Sequence, residues 1–375
     1  MSPLQGLKVL DFSTLLPGPL ASLILAEAGA QVIKVERPGV GDEMRTYTPQ
    51  VGGQSVNFVM LNRGKESLAL DLKSSEALQT LRPLIEQADV VIEQFRPGVM
   101  ARLGLGYEQM REMNPRLIYC SISGWGQTGP KANIAAHDLN YVAESGMLSL
   151  CAGADGAPVL PPLLAADIAG GALPAVMNIM FALRERDQTG AGRYLDISMS
   201  DNLFVFNYWG IGNGRVGAGW PRPAGELLTG GSPRYQIYRT ADSRYVAVAA
   251  LEDRFWFNFA RLIDLPESLR DAAASAEATI AAVAERIGAR TAAQWREAFA
   301  GQDVCCSIVA TLEEAVNDPH TAARGLLPSA ADSADTAEPT VPVLPVPLAA
   351  GYRAQRAQGA DAPALGEHNG ASFSA

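Results

Sequence analysis

The sequence predicts an α/β protein: a larger Rossmann-like unit with a parallel sheet, followed by a smaller α+β unit. Three observations carry this. Short apolar runs alternate with helix-like segments over the first 125 residues, and repeated strand–helix–strand order favours parallel pairing with helices on both faces. A Gly/Pro-rich stretch at 210–233 then interrupts the chain. Beyond it the order changes to a hairpin followed by helices.

Leu7 to Phe12 is a buried strand, and Pro17-Gly18-Pro19 is the turn after it. Leu20 to Ala28 is an Ala/Leu-rich helix ended by Gly29, and Gln31 to Glu36 is the second strand. Leu68 to Leu72 is the third. Ser74 to Ala88 is an amphipathic helix with Leu78, Leu81, Leu84 and Ile85 as its apolar spacing, and Pro83 is expected to kink or split it. Ala88 to Phe95 and Leu117 to Ser123 are further strands. Residues 164–187 form a long helix in which Gly170 and Gly171 allow close backbone approach. Tyr194 to Ile197 is a strand, and Asp201 to Trp209 opens another helix. Tyr235 to Thr240 and Arg244 to Leu251 pair as a hairpin around Ala241-Asp242-Ser243, with helical segments to about residue 300.

At roughly 150 residues per domain, 375 residues predict two or three domains. Hydrophobic residues at 48% and charged residues at 19% supply a core and exclude whole-chain disorder. Lys and Arg number 30 against 40 Asp and Glu, giving −10. That balance lacks the basic footprint of a nucleic-acid binder, although a locally basic pocket can still hold an anion. Cys120, Cys151, Cys305 and Cys306 form no CxxC pair, so no zinc motif or disulfide framework is expected and a reduced compartment fits. No secretory signal is read at Met1 to Gly6, and the longest apolar runs are broken well short of about 18 residues. A cytoplasmic location is expected, with no metal and no membrane partner.

Nucleotide motifs are weak. GxGxxG occurs at Gly124 to Gly129 and Gly212 to Gly217, but Pro130 follows the first and no strand leads into the second, so both read as loops. There is no GxxxxGK[ST] and no GxSxG. The basic residues Arg37, Arg63, Lys65, Lys73 and Arg96, with Asn62, cluster near predicted strand ends, where open α/β sheets gather ligand contacts. They read either as phosphate clamps or as solvated surface charge. Of three histidines, His320 and His368 lie in loop-like C-terminal sequence, while His137 follows a Gly/Pro-rich turn past a strand end. That place suits a catalytic imidazole or a helix-capping one. Asp167 is a lone carboxylate among apolar and small residues, where desolvation would make it a working acid or base, or it is a helix N-cap. Glu252 ends a strand and reads as a cap unless the smaller domain brings it beside His137. Met147, Phe204, Phe206, Tyr208 and Trp209 could line an acyl tunnel or belong to the core.

Together these segments resemble the family III CoA-transferase superfamily, and within it the α-methylacyl-CoA racemases. The resemblance rests on Val35-Glu36-Arg37-Pro38, Leu68 to Lys73, Phe95-Arg96-Pro97-Gly98-Val99, Ser123 to Pro130, Gly230 to Tyr235 and Asn317-Asp318-Pro319-His320. It covers the chain from Leu4 to His368. It implies a large domain over 1–209, a linker over 210–233, a small domain over 234–310, and a segment over 311–375 returning to the large domain. It also implies that two subunits thread through each other as an interlocked homodimer. Coenzyme A carried by the substrate would be the only cofactor, contacted by Arg37, Leu70, Asp71, Leu72, Lys73, Arg96, Asp138 and Tyr141.

In the racemases a His in a His-Asp-x-Asn-Tyr context, matched by His137 to Tyr141, works with an Asp matched by Asp167, and a Glu matched by Glu252 partners the His. In the transferases the Asp matched by Asp167 is the nucleophile that carries covalent intermediates. The resemblance thus implies α-carbon epimerisation of a 2-methylacyl-CoA, with CoA transfer to a carboxylic acid as the alternative. A non-catalytic partner subunit is disfavoured because Asp167 is present. The enolate oxygen would be met by backbone N–H groups at the helix start near Asp167. Ser243 stands where the family usually has a hairpin glycine.

Overall fold

Six parallel strands build the sheet of the first unit: β1 (Lys8–Asp11), β2 (Gln31–Glu36), β3 (Glu66–Ala69), β4 (Val90–Glu93), β5 (Ile118–Ser123) and β6 (Arg193–Ser198). The order across the sheet is β3-β2-β1-β4-β5-β6. This computed structural model describes residues 2–153, 155–271, 273–327, 341–352 and 361–374. By internal contacts the chain divides into a unit of Met1–Ser145, Leu163–Val205 and Pro319–Ala375, and a second of Gly146–Pro162 and Phe206–Asp318. The contact division therefore gives 146–162 and 206–209 to the second unit, whereas the sequence reading drew its boundary at 209.

β1, β2, β4 and β5 are buried along nearly their whole length because helices cover both faces of a parallel sheet. Leu10 pairs with Ile33 on one side and Val91 on the other, and all three are fully buried. Strand order reverses between β1 and β4, the kind of switch point at whose carboxyl ends open α/β sheets take ligands. Helix α1 (Pro17–Glu27) begins with Pro17 and Pro19, whose fixed φ suits a first turn, and is buried from Pro17 to Ala26. Helix α2 (Ala77–Gln87) runs through Pro83 without the expected split. Pro83 lies on the exposed face, while Ala77, Leu81, Leu84 and Ile85 are buried. Leu78, read as part of the apolar face, is exposed.

A buried ionic network sits beneath the β1 end. Lys65 Nζ donates to Asp11 Oδ2 at 3.3 Å, Pro19 O at 3.0 Å and Asn62 Oδ1 at 2.8 Å. Lys34 Nζ pairs with Asp42 at 3.0 Å and donates to Ser13 O at 2.6 Å. Asp42 in turn accepts the N–H of Leu15, a residue held at φ 62°. Burial works against the Asp11 carboxylate, but Lys34, Lys65 and two serine hydroxyls outweigh it and hold Asp11 at about 2. Three acceptors around Lys65 match the three N–H bonds of an ammonium, although burial pulls it down to about 7.

The expected helix at 164–187 has two parts. Ala166–Ala172 is π-helical and continues into α4 (Leu173–Thr189). A Cβ on Gly170 would lie 2.4 Å from Met199 O, and one on Gly171 3.1 Å from Met199 and Pro17, so both glycines serve close approach. Contrary to the sequence expectation, Ala166–Thr189 is long and apolar enough to cross a membrane by composition. Here it packs on α1, β5 and β6 as one layer of the α/β unit. Near the C-terminus, His368 N donates to Ser67 O at 2.9 Å, Ser67 N to His368 Nδ1 at 3.2 Å and Ala69 N to Asn369 at 2.9 Å. This segment borders the outer edge of β3.

In the second unit, α5 (Tyr208–Arg215) occupies the start of the stretch read as a linker and contains Gly212, which is therefore helical and not in a loop. The hairpin β7 (Tyr235–Arg239) and β8 (Tyr245–Ala249) forms as expected, and Ser243 adopts φ 62° at its turn, the conformation that favours glycine there. A third strand, β9 (Cys306–Ile308), pairs with β8. Helices α6 (Asp253–Leu262), α7 (Ala276–Gly288) and α8 (Ala292–Phe299) cover the sheet around a core of Trp256, Phe259, Val283, Ile287 and Trp295.

Candidate active site

The carboxyl ends of four strands, two on either side of β1, lie at the same end of the parallel sheet. β2 leads into Arg37, β3 into Leu70–Lys73, β4 into Gln94–Arg96, and β5 into Gly124. Arg37, Asp71, Lys73 and Arg96 are exposed there. Leu70 and Leu72 are half-buried and pack on the core, which leaves mainly their backbone for a ligand. Arg63 and Lys65 were grouped with these residues by sequence, but both are buried and paired, Arg63 with Glu27 and Lys65 with Asp11. They precede β3 and are not clamps for a phosphate.

After β5 the chain turns through Gly124 to Pro130. A Cβ on Gly124 would fall 2.1 Å from the Tyr141 hydroxyl, so only glycine admits Tyr141 at this place. The Tyr141 ring meets Trp125 edge-on at 4.9 Å, and its hydroxyl donates to Ala136 O at 2.9 Å. These contacts fix the start of α3 (Asp138–Glu144). His137 caps that helix with an extended backbone, its N–H donating to Asn140 Oδ1 at 3.0 Å, and its side chain is exposed.

Asp138 is the first residue of α3 and is 7% exposed. Its Oδ1 accepts the backbone N–H of Asp167 at 2.9 Å. Asp167 is therefore neither the N-cap of its helix, a place held by Ala165, nor a source of a spare N–H for a developing oxyanion. Its half-buried carboxyl is pushed up to about 6, first by burial and then by the Asp138 charge, with His137 pulling the other way. Burial, then Asp167 and Asp138, push the Tyr141 phenol up to about 12. An acid–base carboxyl near neutrality beside an imidazole can move a proton in either direction.

The first unit thus brings together His137, Asp138, Tyr141 and Asp167. Glu252 belongs to the second unit, exposed at the N-cap of α6 without a side-chain cap bond. Phe204 in the first unit and Phe206 and Tyr208 in the second are exposed, so they are not core. His368 serves the β3 edge. Sequence reasoning missed Glu93 at the end of β4. Burial pushes it up to about 7, and it accepts the Ser121 hydroxyl and, at 2.8 Å, the Phe95 N–H that shapes the turn before Arg96. A lone acid closing an apolar strand was its only signal. Among the described residues, no group of three His, Cys, Asp or Glu could hold a metal ion.

Residues 4–369 match the family model described as CoA-transferase family III. The human protein named alpha-methylacyl-CoA racemase is 36% identical over 337 residues, covering 86% of this chain and 81% of the relative. An Acetobacter aceti protein named acetyl-CoA:oxalate CoA-transferase is 35% identical over 334 residues, covering 87% and 85%. The crystal structure of a CAIB/BAIF family protein from Brucella suis superposes with a TM-score of 0.82 at 30% identity, covering 98% of both chains.

Proposed function

Since the chain belongs to CoA-transferase family III, an enzyme family acting on acyl-CoA, we propose that it epimerises the α-carbon of a 2-methylacyl-CoA by two-base proton transfer. The observation that carries this reading is the 2.9 Å bond from Asp167 N to the Asp138 carboxylate, which ties the residue after His137 to the other acid–base candidate. His137 removes the α-proton from one face of the thioester's α-carbon to leave a planar enolate, and a protonated Asp167 returns a proton to the opposite face; the reverse reaction exchanges their roles. Glu252 enters as partner of the imidazole on the family resemblance alone. Incubation with a 2-methylacyl-CoA in deuterated water tests the reading. α-Proton exchange without a carboxylic acid co-substrate supports it, and CoA passing to an added carboxylate without exchange overturns it.

A second reading is CoA transfer through covalent intermediates on the Asp167 carboxylate. It is favoured by the Acetobacter aceti relative, whose identity is nearly that of the human racemase. Hydroxylamine trapping on Asp167 would identify it.

Arg37, Leu70–Lys73, Arg96 and Tyr141 are the proposed CoA contacts, supported by the shared end of the sheet. Arg37→Ala and Arg96→Ala are each expected to weaken CoA binding by about 1–3 kcal/mol, the worth of a charge-assisted hydrogen bond to phosphate. Calorimetry giving wild-type affinity for both would remove the assignment.

The active form is proposed to be a homodimer in the cytoplasm. Four unpaired thiols support a reducing compartment. Leu173, Met177, Met180 and Phe181 form an exposed stripe on α4, an apolar face that a subunit contact would cover. Sedimentation is expected to give twice the chain mass at micromolar concentration. A folded species of single-chain mass would exclude an obligate dimer.

A further inference from the structure

We infer that Asp138 is a positioning residue for the acid–base pair, holding the first turn of the π-helical segment against the start of α3 through the Asp167 N–H. The inference deepens the proposed epimerisation and rests on it for its catalytic meaning. It also departs from the family-implied assignment of Asp138 as a coenzyme A contact.

Three observations support it. The Asp138 side chain is buried, and its Oδ1 is occupied by the Asp167 N–H at 2.9 Å. Asp138 and His137 are consecutive, so anything that fixes Asp138 also fixes the root of the imidazole. The Asp167 segment is π-helical, a geometry whose backbone bonding is looser than that of an α-helix and which recurs at functional sites. An external acceptor at its first turn is then what sets the position of the Asp167 side chain. The segment is further pinned by Asn202, whose side-chain amide donates to Gly170 O at 2.8 Å.

The same carboxylate has an electrostatic effect. α1, α3, α4, β5 and β6 pack on the π-helical segment. The charges acting on the Asp167 carboxyl come from Asp138, which raises its pKa, and His137, which lowers it. Tyr141 also faces this carboxyl and is itself pushed up by it. Asp138 therefore keeps Asp167 protonated closer to neutrality as well as in place.

Asp138→Asn keeps an oxygen acceptor and the side-chain volume while removing the charge. The test titrates Asp167 by infrared spectroscopy of protein carrying carbon-13 aspartate, with the band lost in Asp167→Asn taken as its signal. The Asp167 midpoint is expected near 6 in the wild type and lower by about one pH unit in Asp138→Asn. The acid limb of the epimerisation profile should move down with it. Asp138→Ser, which is uncharged and shorter, should shift the midpoint likewise and lower kcat by about tenfold to a hundredfold with little change in KM; it also serves if the Asn variant does not fold. An unmoved Asp167 midpoint in a folded variant overturns the inference. So does a raised KM at unchanged kcat, which would mark a coenzyme A contact. A shifted midpoint in a protein that never exchanges α-protons leaves the Asp138 link standing and removes the epimerase reading instead.

Discussion

His137→Ala and Asp167→Ala are each expected to lower interconversion of the two 2-methylacyl-CoA enantiomers by about 10²–10⁴-fold, the usual contribution of a general acid–base group. The loss should appear in both directions, because the equilibrium between enantiomers does not depend on the enzyme. Proton exchange with deuterated water separates the two residues. Without His137, exchange should survive only from the enantiomer whose proton Asp167 removes, and without Asp167 only from the other. The same constraint makes both directions share one bell-shaped pH profile, governed by the macroscopic pKa values of the pair. Its acid limb should lie near 6, where Asp167 first loses its proton. An active His137→Ala variant together with label trapped on Asp167 would replace epimerisation with CoA transfer.

Lys65→Met is expected to destabilise the first unit by about 3–5 kcal/mol, the cost of leaving one partner of a buried ion pair uncompensated. Asp11 and Lys65 are both fully buried at their side chains. Asp11 would lose the ammonium at 3.3 Å and keep Lys34 and its serine donors. Asp11→Asn combined with Lys65→Met should cost less than the two single changes added together, because neither charge is then left alone. The wild type also makes a pH prediction. Asp11 is held at about 2 in the folded protein, below its ordinary 3.8. Its contribution is therefore complete above roughly pH 4 and lost as pH falls towards 2. Denaturant titrations at several pH values check both points. A Lys65→Met cost below about 1 kcal/mol would show that the pair is energetically idle.

How much of this was legible in the sequence depends on the range of the interaction. The parallel strands were readable because burial on both faces demands apolar runs such as Val90 to Ile92. The helix at 77–87 was readable from its spacing, but the side of Pro83 and Leu78 was not, since helical periodicity marks an apolar face without fixing which residues at its margin meet the core. His137 and Asp167 stood out as unusual residue types in their surroundings. Their linkage did not, because Asp138 reaches Asp167 across 29 positions of chain. Lys65 was misjudged for a related reason. A lysine beside a strand end looks the same in sequence whether it meets solvent or turns inward to a carboxylate 54 residues away. The π-helical turn left no signal beyond its two glycines.

The contact between Ser67 and His368 spans 301 positions, and this bears on how the protein is made. During synthesis β3 is complete long before residues 365–369 leave the ribosome. For most of that interval its outer edge is an open row of N–H and C=O groups, able to template pairing with another nascent chain. Loop closure over so long a separation is slow, so residues 365–369 act late, as a clasp. Yield during expression should therefore depend on chaperone supply and growth temperature more steeply than equilibrium stability does.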